Sequence, residues 1–416
     1  MPIKEILKVI YAPHKVFTEI IRKTSYVGPI LLLSLFVLAQ LGSSYVVASR
    51  SYVELTAPQT APLIAQGDLW TENAAFWKAS EGLAIRNNTD DYINSTYATA
   101  SIEFTANDAS SVWMEIRFNG SLNCGVGGFQ NISFRVKQLS PEVKSERASL
   151  YLYSLGDSSF YFDLTGELAN SGVNVWNNIT LPVGVGSDGW QANEAVATWE
   201  NITGLKLEFT WARSADVDLL IDQLFFKGDY ELLLDFYGIA YFANAALNAI
   251  APFLFEWLLL TGLMYVIIRG LKGNVVWRPL MIAVGFALVV IVIQAVITAV
   301  VYTSLPNLYY PLEVLAGAPE EYEAARQVIL NSISSVSFVG GIIQIAFYIW
   351  IIALGTFIIR AITSDEKIAE QASLGKTVLE TAASPSVVAF GWMKCLFVSG
   401  ISLFLTIIIL GLLLGI

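Results

Sequence analysis

The sequence predicts a polytopic α-helical membrane bundle of about five transmembrane helices, with an all-β sandwich inserted between the first and second. Hydrophobic residues make up 55% of the 416 residues and charged residues only 14%, against about 45–50% and about 25% in soluble domains. The whole net charge of −11 lies in residues 49–229, which hold 11 basic and 22 acidic residues. Within that segment, apolar residues alternate with polar ones in short stretches, as they do in β-strands.

Five apolar runs are long enough to cross a bilayer core, which takes roughly 20 helical residues. They are predicted at 26–48, 251–268, 280–301, 336–359 and 395–416. The first run is also open to interpretation as a cleaved signal peptide. Its length and its long charged leader favour a transmembrane helix, because the apolar region of a signal peptide usually spans about 7–15 residues. On this division, residues 1–25 form an N-terminal segment and 230–416 hold the other four helices.

Lysine and arginine predict the orientation of the chain. The N-terminal segment and the 269–279 connection are basic, and the 360–394 connection carries four lysines and arginines, whereas the 302–335 connection has one arginine and several glutamates. Because basic loops stay on the cytoplasmic side, we expect a multi-pass plasma-membrane protein with a cytoplasmic N-terminus. Residues 49–229 and the C-terminus are then extracellular. Residues 3–23 also have the pattern of one amphipathic helix, which is predicted to lie on the anionic inner surface of the membrane.

The 49–229 segment contains eight or more short alternating stretches, which predict two packed antiparallel sheets. It also contains six Asn-x-Ser/Thr sequons, and the rest of the chain contains none. Their concentration predicts a glycosylated, non-cytoplasmic surface, although a Ser/Thr-rich β domain can also match this pattern by chance. The six acceptors are Asn87, Asn94, Asn119, Asn131, Asn178 and Asn201.

The β segment resembles carbohydrate-binding modules in three stretches, which are Trp176–Pro182, Trp199–Phe209 and Leu219–Gly228. The resemblance, which extends to the galactose-binding-like jelly rolls, implies a jelly-roll sandwich that binds sugars through aromatic side chains. The predicted ligand-binding residues are Trp176, Trp190, Trp199 and Trp211. It also implies a structural calcium ion at Asp222, although a calcium site needs six or more oxygen ligands. No other cofactor is expected.

Without the β segment, the chain resembles the Yip1 family of five-helix membrane proteins. The matching stretches are IYAPHKVF from Ile10 to Phe17, RGLKG from Arg269 to Gly273, and the Arg278–Pro279 pair. In eukaryotes, this family acts in vesicle traffic with small GTPases. The cytoplasmic tail of the present chain is too short to carry that role over. A Yip1 core of prokaryotic type, combined with a disulfide-free ectodomain, favours an archaeal cell surface.

Three polar side chains fall within the predicted crossings: Glu256, Gln294 and Gln344. Ionisable residues at such positions are commonly functional, whereas glutamines often hydrogen-bond between helices. Glu256 is near the outer end of its crossing, which contains no basic partner. A proton or ion role for Glu256 is therefore a secondary hypothesis.

Several classes of function are disfavoured by the sequence. The acidic balance argues against nucleic-acid binding, and a single histidine rules out Ser-His-Asp chemistry in the β segment. Glu103, Glu115 and Asp163 would have to share one cleft to hydrolyse glycosides. We therefore expect a non-enzymatic membrane scaffold that presents a glycan- or envelope-binding sandwich. The alternatives are a transporter or transporter subunit and a Yip1-type membrane-organising protein. Association into a homo-oligomer stays open.

Overall fold

The computed structural model describes residues 2–59, 70–93, 98–156, 158–169, 172–194, 196–316, 319–365, 370 and 389–414. The chain divides into two compact units. The helical unit comprises Met1–Arg50, Tyr237–Pro306 and Ser332–Ile416, and the β unit comprises Ser51–Phe236 and Asn307–Asn331.

Five helical segments in the described chain are long and apolar enough to cross a membrane. They are α3 (Val27–Ala48), α5 (Leu233–Gly270), α6 and α7 together (Trp277–Ala287 and Val289–Tyr302), α9 (Pro319–Ser364) and α10 (Trp392–Leu414). Such helices are compatible with a multi-pass membrane protein. The predicted runs 251–268 and 336–359 fall inside the longer helices α5 and α9, whose N-terminal turns carry polar residues that lower the local hydropathy.

The N-terminal segment forms two helices, α1 (Pro2–Tyr11) and α2 (Pro13–Arg22), rather than the single predicted helix. Ala12 between them has φ −142° and ψ 53°, because the ring of a following proline disfavours helical backbone at the preceding residue. Much of their apolar face, including Val16 and Phe17, is buried in the core of the helical unit. The position of these helices on the inner membrane surface stays a prediction.

Close helix packing in the helical unit depends on small residues and a few polar contacts. The indole N–H of Trp257 on α5 donates to the Met281 carbonyl at 2.7 Å. Gly285 on α6 faces Trp257 and Pro29 so closely that a Cβ atom there would lie 2.8 Å from both. Small residues at such positions let helices approach each other, as is common between transmembrane helices.

In the β unit, eleven described strands form one hydrogen-bonded sheet that folds into two layers. The first layer holds β2 (Trp77–Ala79), β6 (Arg147–Tyr153), β7 (Ser159–Asp163) and β9 (Trp190–Ala192). The second layer holds β3 (Ala84–Asn88), β5 (Asn131–Ser140) and β8 (Asn177–Pro182). The long strands β4 (Ser101–Leu122) and β10 (Ile202–Leu232) pair with strands of both layers.

The two layers enclose the main apolar core of the β unit. Trp77 of the first layer contacts Phe104 of the second edge-to-face, with ring centroids 5.4 Å apart. Strand register shifts between Thr210 and Val217, at the place where β10 passes from one layer to the other; bulges and bends commonly let strands switch sheets in this way. The antiparallel β region is therefore as expected, but β4 and β10 are long continuous strands, where the sequence predicts only short stretches.

A segment that was not predicted to be β completes this unit. Strand β11 (Leu308–Tyr310) pairs in parallel with β1 (Ser51–Ala57), and helix α8 (Leu312–Ala316) follows it. The Leu312 N–H donates to the Glu54 carboxylate at 2.7 Å, and Lys227 forms an ion pair with Glu313. The 302–335 connection thus contributes to the β fold instead of forming a simple loop.

Cys124 is predicted to be unreactive in the folded protein. Its side chain is buried, and burial raises the pKa of the thiol from 9.0 to about 12. Because the thiolate is the reacting form, Ellman's reagent at pH 8 should leave Cys124 unmodified until the protein is unfolded. The measurement uses a Cys395→Ala background, so that only one thiol is counted. Rapid reaction of the folded protein would contradict the buried position.

Candidate functional site

The four tryptophans predicted to bind ligand occupy different environments. Trp199 and Trp211 are only 8% and 4% exposed and belong to the core of the β unit. Trp199 stacks on Phe160 with ring centroids 3.9 Å apart. Trp190 is half-buried against the core, and its indole N–H donates to the Pro182 carbonyl at 2.8 Å. Burial therefore removes Trp199 and Trp211 as binding platforms, because a stacking ligand needs an accessible ring.

Trp176 is the predicted tryptophan with the most polar surroundings. Its indole N–H donates to Asp91 at 3.2 Å, and the same carboxylate accepts from Lys137 at 2.6 Å. These side chains flank the outer face of the second layer. The middle of that face is covered, since Leu220 and Asp222 are fully buried. Trp176 itself keeps a half-exposed ring at the rim of this face.

The same outer face carries an ion pair between a buried glutamate and an exposed arginine. Glu103 is 3% exposed and accepts from Arg86 at 2.8 and 2.5 Å, and it also accepts from Asn88 at 2.8 Å. Nearby, burial raises the pKa of Asp218, with a further contribution from the negative charge of Glu103. Bidentate arginine–carboxylate contacts of this kind fix side chains in place, so this pair holds β3 against β4.

Asp222, the predicted calcium ligand, accepts hydrogen bonds. One carboxylate oxygen accepts from the Ile93 N–H at 2.6 Å, and the other accepts from the Gln223 N–H at 2.7 Å and the Thr71 hydroxyl at 3.2 Å. N–H donors take up the lone pairs that a cation would need. No group of three potential ligands for a metal is found within the described residues. This geometry favours a structural role for Asp222, while calcium binding stays an untested prediction.

The outer face of the first layer is open and carries three tyrosines. Tyr151, Tyr153 and Tyr161 are each half-buried, whereas the alternating residues Leu150 and Leu152 are in the core. We call these three tyrosines, together with Glu115, Arg117 and Lys206, the tyrosine face. Strand pairing places Lys78, Glu115, Lys206, Tyr151 and Tyr161 side by side on five neighbouring strands. At the usual strand spacing, this row is roughly 19 Å long.

Contacts between rings and charges organise the tyrosine face. The rings of Tyr151 and Tyr161 have centroids 5.3 Å apart. Lys206 Nζ lies 4.3 Å from the centroid of Tyr151, and Arg117 Cζ lies 3.4 Å from that of Tyr153. Cations over aromatic faces are attracted to the ring electrons. The long cationic side chains are therefore held along the sheet, over the neighbouring rings.

Hydrogen bonds fix the polar groups of the same face. The Tyr153 hydroxyl donates to Glu115 at 2.8 Å, and Lys206 pairs with Glu208 at 2.9 Å. Burial, followed by the hydrogen bond to Glu115, raises the pKa of Tyr153. The phenol thus stays protonated and continues to donate at neutral and mildly alkaline pH. The face offers both donors and acceptors in fixed positions beside aromatic rings.

The tyrosine face was missed in the sequence analysis, although the sequence contains a signal for it. In the stretch from Leu150 to Tyr153, leucine and tyrosine alternate, so one strand face is apolar and the other is aromatic and polar. Tyr161 alternates with Phe160 and Phe162 on the adjacent strand. Alternation thus indicates which tyrosines face outward, whereas the large apolar area of tryptophan favours burial.

The predicted acids and sequons are dispersed over the β unit. Glu103 and Glu115 lie on different layers, and Asp163 caps the short helix α4 (Thr165–Ala169) by accepting from the Thr165 N–H at 3.0 Å. These acids therefore do not form the pair that glycoside hydrolysis requires. Of the sequon asparagines, Asn87, Asn119 and Asn178 are exposed, and Asn131 and Asn201 are half-buried. Asn94 lies outside the described residues.

The helical unit brings the three predicted intramembrane residues together. Glu256, Gln294 and Gln344 line one cavity of about 270 Å³, and Gln40, Thr298 and Tyr348 line it with them. Gln344 donates to the Tyr348 hydroxyl at 2.6 Å. The sequence pattern placed these residues on separate helices and gave no reason to expect that they converge.

No protein-family model matches the sequence, and no curated protein matches it. Among solved structures, the chain is similar to the family 11 carbohydrate-binding module of Clostridium thermocellum, with 12% identity and a TM-score of 0.26, over 38% of this chain and 91% of that one. The family 30 module of a C. thermocellum cellulosomal cellulase shows 7% identity and a TM-score of 0.28, over 36% of this chain and 88% of that module. A β-1,2-glucanase from Parabacteroides distasonis shows 12% identity and a TM-score of 0.28, over 38% of this chain but only 24% of that enzyme. TM-scores this low assign neither ligand nor activity, and the Yip1 and jelly-roll resemblances stay predictions.

Proposed function

We propose that this protein is a membrane-anchored surface protein whose β unit binds carbohydrate polymers through the tyrosine face. The supporting observation is the open row of Tyr151, Tyr161 and Lys206 on the first layer. Apolar faces of sugar rings stack on aromatic side chains, and their hydroxyls exchange hydrogen bonds with carboxylates and cations such as Glu115 and Lys206. A flat row roughly 19 Å long fits an extended polymer better than a small ligand, which normally occupies a concave pocket.

The proposal includes the orientation expected from the basic connections. The N-terminus and the 269–279 connection lie in the cytoplasm, and the β unit lies outside, where surface glycans and envelope polymers are accessible. Support comes from Arg269, Lys272 and Arg278, which follow α5 without an intervening acid. The helices serve as an anchor of Yip1 type in this proposal, and the protein is not an enzyme.

Alanine variants of the tyrosine face test the proposed function. The purified full-length protein is incubated with insoluble polysaccharides, including cellulose, mannan and chitin, and the bound fraction is measured. The Tyr151→Ala/Tyr161→Ala double variant is expected to bind its polymer at least about tenfold more weakly, which corresponds to about 1.4 kcal/mol. The loss follows because the hydroxyl partners remain but the stacking surface is gone.

Trp176→Ala is the matched control, since it removes a half-exposed aromatic ring from the other layer. This variant should bind like the wild type, and both variants should retain the wild-type melting temperature to within a few degrees. Loss of binding in Trp176→Ala with full binding in the tyrosine variant would assign the site to the second layer. Failure of the wild type to bind any polymer would contradict the proposed function.

A further inference from the structure

Two neighbouring cavities lie within the helical unit and share Phe36 and Gln40 of α3 as lining residues. The first has a volume of about 410 Å³, and its polar lining consists of Gln40, Ser44, Asn244, Asn248 and Tyr241. The second has a volume of about 270 Å³ and is lined by the group around Glu256. Because both cavities are bounded by Gln40, they adjoin each other and form one polar region of the otherwise apolar helical unit, with Asn244, Asn248 and Gln344 exposed at its opening.

The second cavity combines one carboxylate with neutral polar groups from several helices. Glu256 is on α5, Gln294 and Thr298 are on α7, and Gln344 and Tyr348 are on α9. No lysine, arginine or histidine lines either cavity within the described chain. Ionisable side chains are costly and rare among membrane-spanning helices, so a residue such as Glu256 generally marks a site.

The lining determines the kind of ligand that fits. An acid without a basic partner attracts a cation, and amide and hydroxyl oxygens supply further acceptors. The volume of about 270 Å³ is several times the ~30 Å³ occupied by one water molecule, which is more than a bare metal ion fills. Phe36, Tyr302 and Tyr348 add aromatic faces, and aromatic residues bind ammonium groups through cation–π attraction.

We propose that the helical unit contains a binding site for a small organic cation, an amine or quaternary ammonium compound, which is held by Glu256 and the surrounding glutamines and tyrosines. This site is separate from the tyrosine face and does not depend on carbohydrate binding. A purely structural explanation would have the glutamines bond neighbouring helices to one another. The hydrogen bond of Gln344 instead goes to Tyr348, one turn away on the same helix, and it leaves both side chains at the cavity wall.

The test measures thermal unfolding of the full-length protein in nanodiscs. The cations are methylammonium, tetramethylammonium and choline, and 3,3-dimethylbutan-1-ol serves as the neutral isostere of choline. At concentrations well above its dissociation constant, at least one cation should raise the melting temperature by roughly 3 °C or more relative to equal sodium chloride. The neutral isostere should cause no comparable rise.

Substitutions localise the effect. Glu256→Gln should abolish the stabilisation by the cation, and Gln40→Leu should weaken it without removing the charge, which keeps the test decisive if Glu256→Gln folds poorly. Glu81→Gln, at an exposed position in the β unit, should respond like the wild type. The proposal is overturned if no cation stabilises the protein beyond sodium chloride, if the neutral isostere acts as strongly as choline, or if both cavity variants respond like the wild type.

Discussion

Replacing Asp222 by alanine is expected to destabilise the β unit by about 3 kcal/mol, because the Ile93 N–H and the Thr71 hydroxyl lose a buried acceptor. The Gln223 N–H keeps only its contact with the Thr71 oxygen. Asp222 is fully buried, and it ties Ile93 and Thr71 to the middle of β10. Water cannot easily replace a carboxylate at this depth. The free energy of unfolding of the β unit, measured by urea titration of its tryptophan fluorescence, should fall accordingly.

Asp222→Asn separates the role of hydrogen bonding from that of charge. The amide retains one acceptor oxygen. The stability of Asp222→Asn should therefore lie between that of the wild type and that of Asp222→Ala. Asp188→Ala, at an exposed position, should change the unfolding free energy by less than about 0.5 kcal/mol. If calcium raised the stability of the wild type and EDTA lowered it to the level of Asp222→Ala, the carboxylate would be a metal ligand and the hydrogen-bond assignment would be wrong.

A single added methyl group at Gly285 should destabilise the helical unit. The new Cβ of Gly285→Ala would lie 2.8 Å from Pro29 and 2.8 Å from Trp257, so α3 or α5 must move away. Overpacking of this kind costs roughly 1–3 kcal/mol, and here it outweighs the gain of about 1 kcal/mol that alanine normally brings to a helix. The melting temperature in detergent micelles should fall by several degrees.

Gly262→Ala is the matched control on α5. A Cβ atom at this glycine meets no atom within 4 Å, so only the helix-forming preference of alanine acts. This variant should be as stable as the wild type or more stable. Equal behaviour of the two alanine variants would show that the helices do not pack as closely at Gly285 as the structure indicates.

The long apolar helices and many strands could be predicted because each depends on local hydrophobicity. Long-range pairing could not. Each of the long strands β4 and β10 runs from one layer into the other. The sequence between the two halves of such a strand, for example Asn107–Ser110 in β4, resembles a turn. Strand β11 is only three residues long and is held by tertiary contacts with β1. Short segments of this kind carry too little pattern to be identified from sequence alone.

In the candidate sites, too, some features follow from the local sequence pattern and others depend on the tertiary fold. Alternation in the strands determines that Tyr151 and Tyr153 face away from Leu150 and Leu152, so this part of the tyrosine face can be predicted from the sequence. Burial of Trp199 and Trp211 depends on which layer covers them, and this follows from the fold of the sheet. The convergence of Glu256, Gln294 and Gln344 depends on the rotation of three helices about their axes. Hydropathy does not define those rotations when a helix is apolar on all sides.

Surface carbohydrate binding requires the β unit to lie outside the cell and the connection after α5 to lie inside it. Single cysteines at Asp188 and Leu271, introduced separately into a Cys124→Ala/Cys395→Ala background, report on these two places, both of which are exposed. In intact cells, a membrane-impermeant maleimide should label Asp188→Cys at once and Leu271→Cys only after lysis. Labelling of Leu271→Cys in intact cells, with Asp188→Cys protected, would contradict the proposed function.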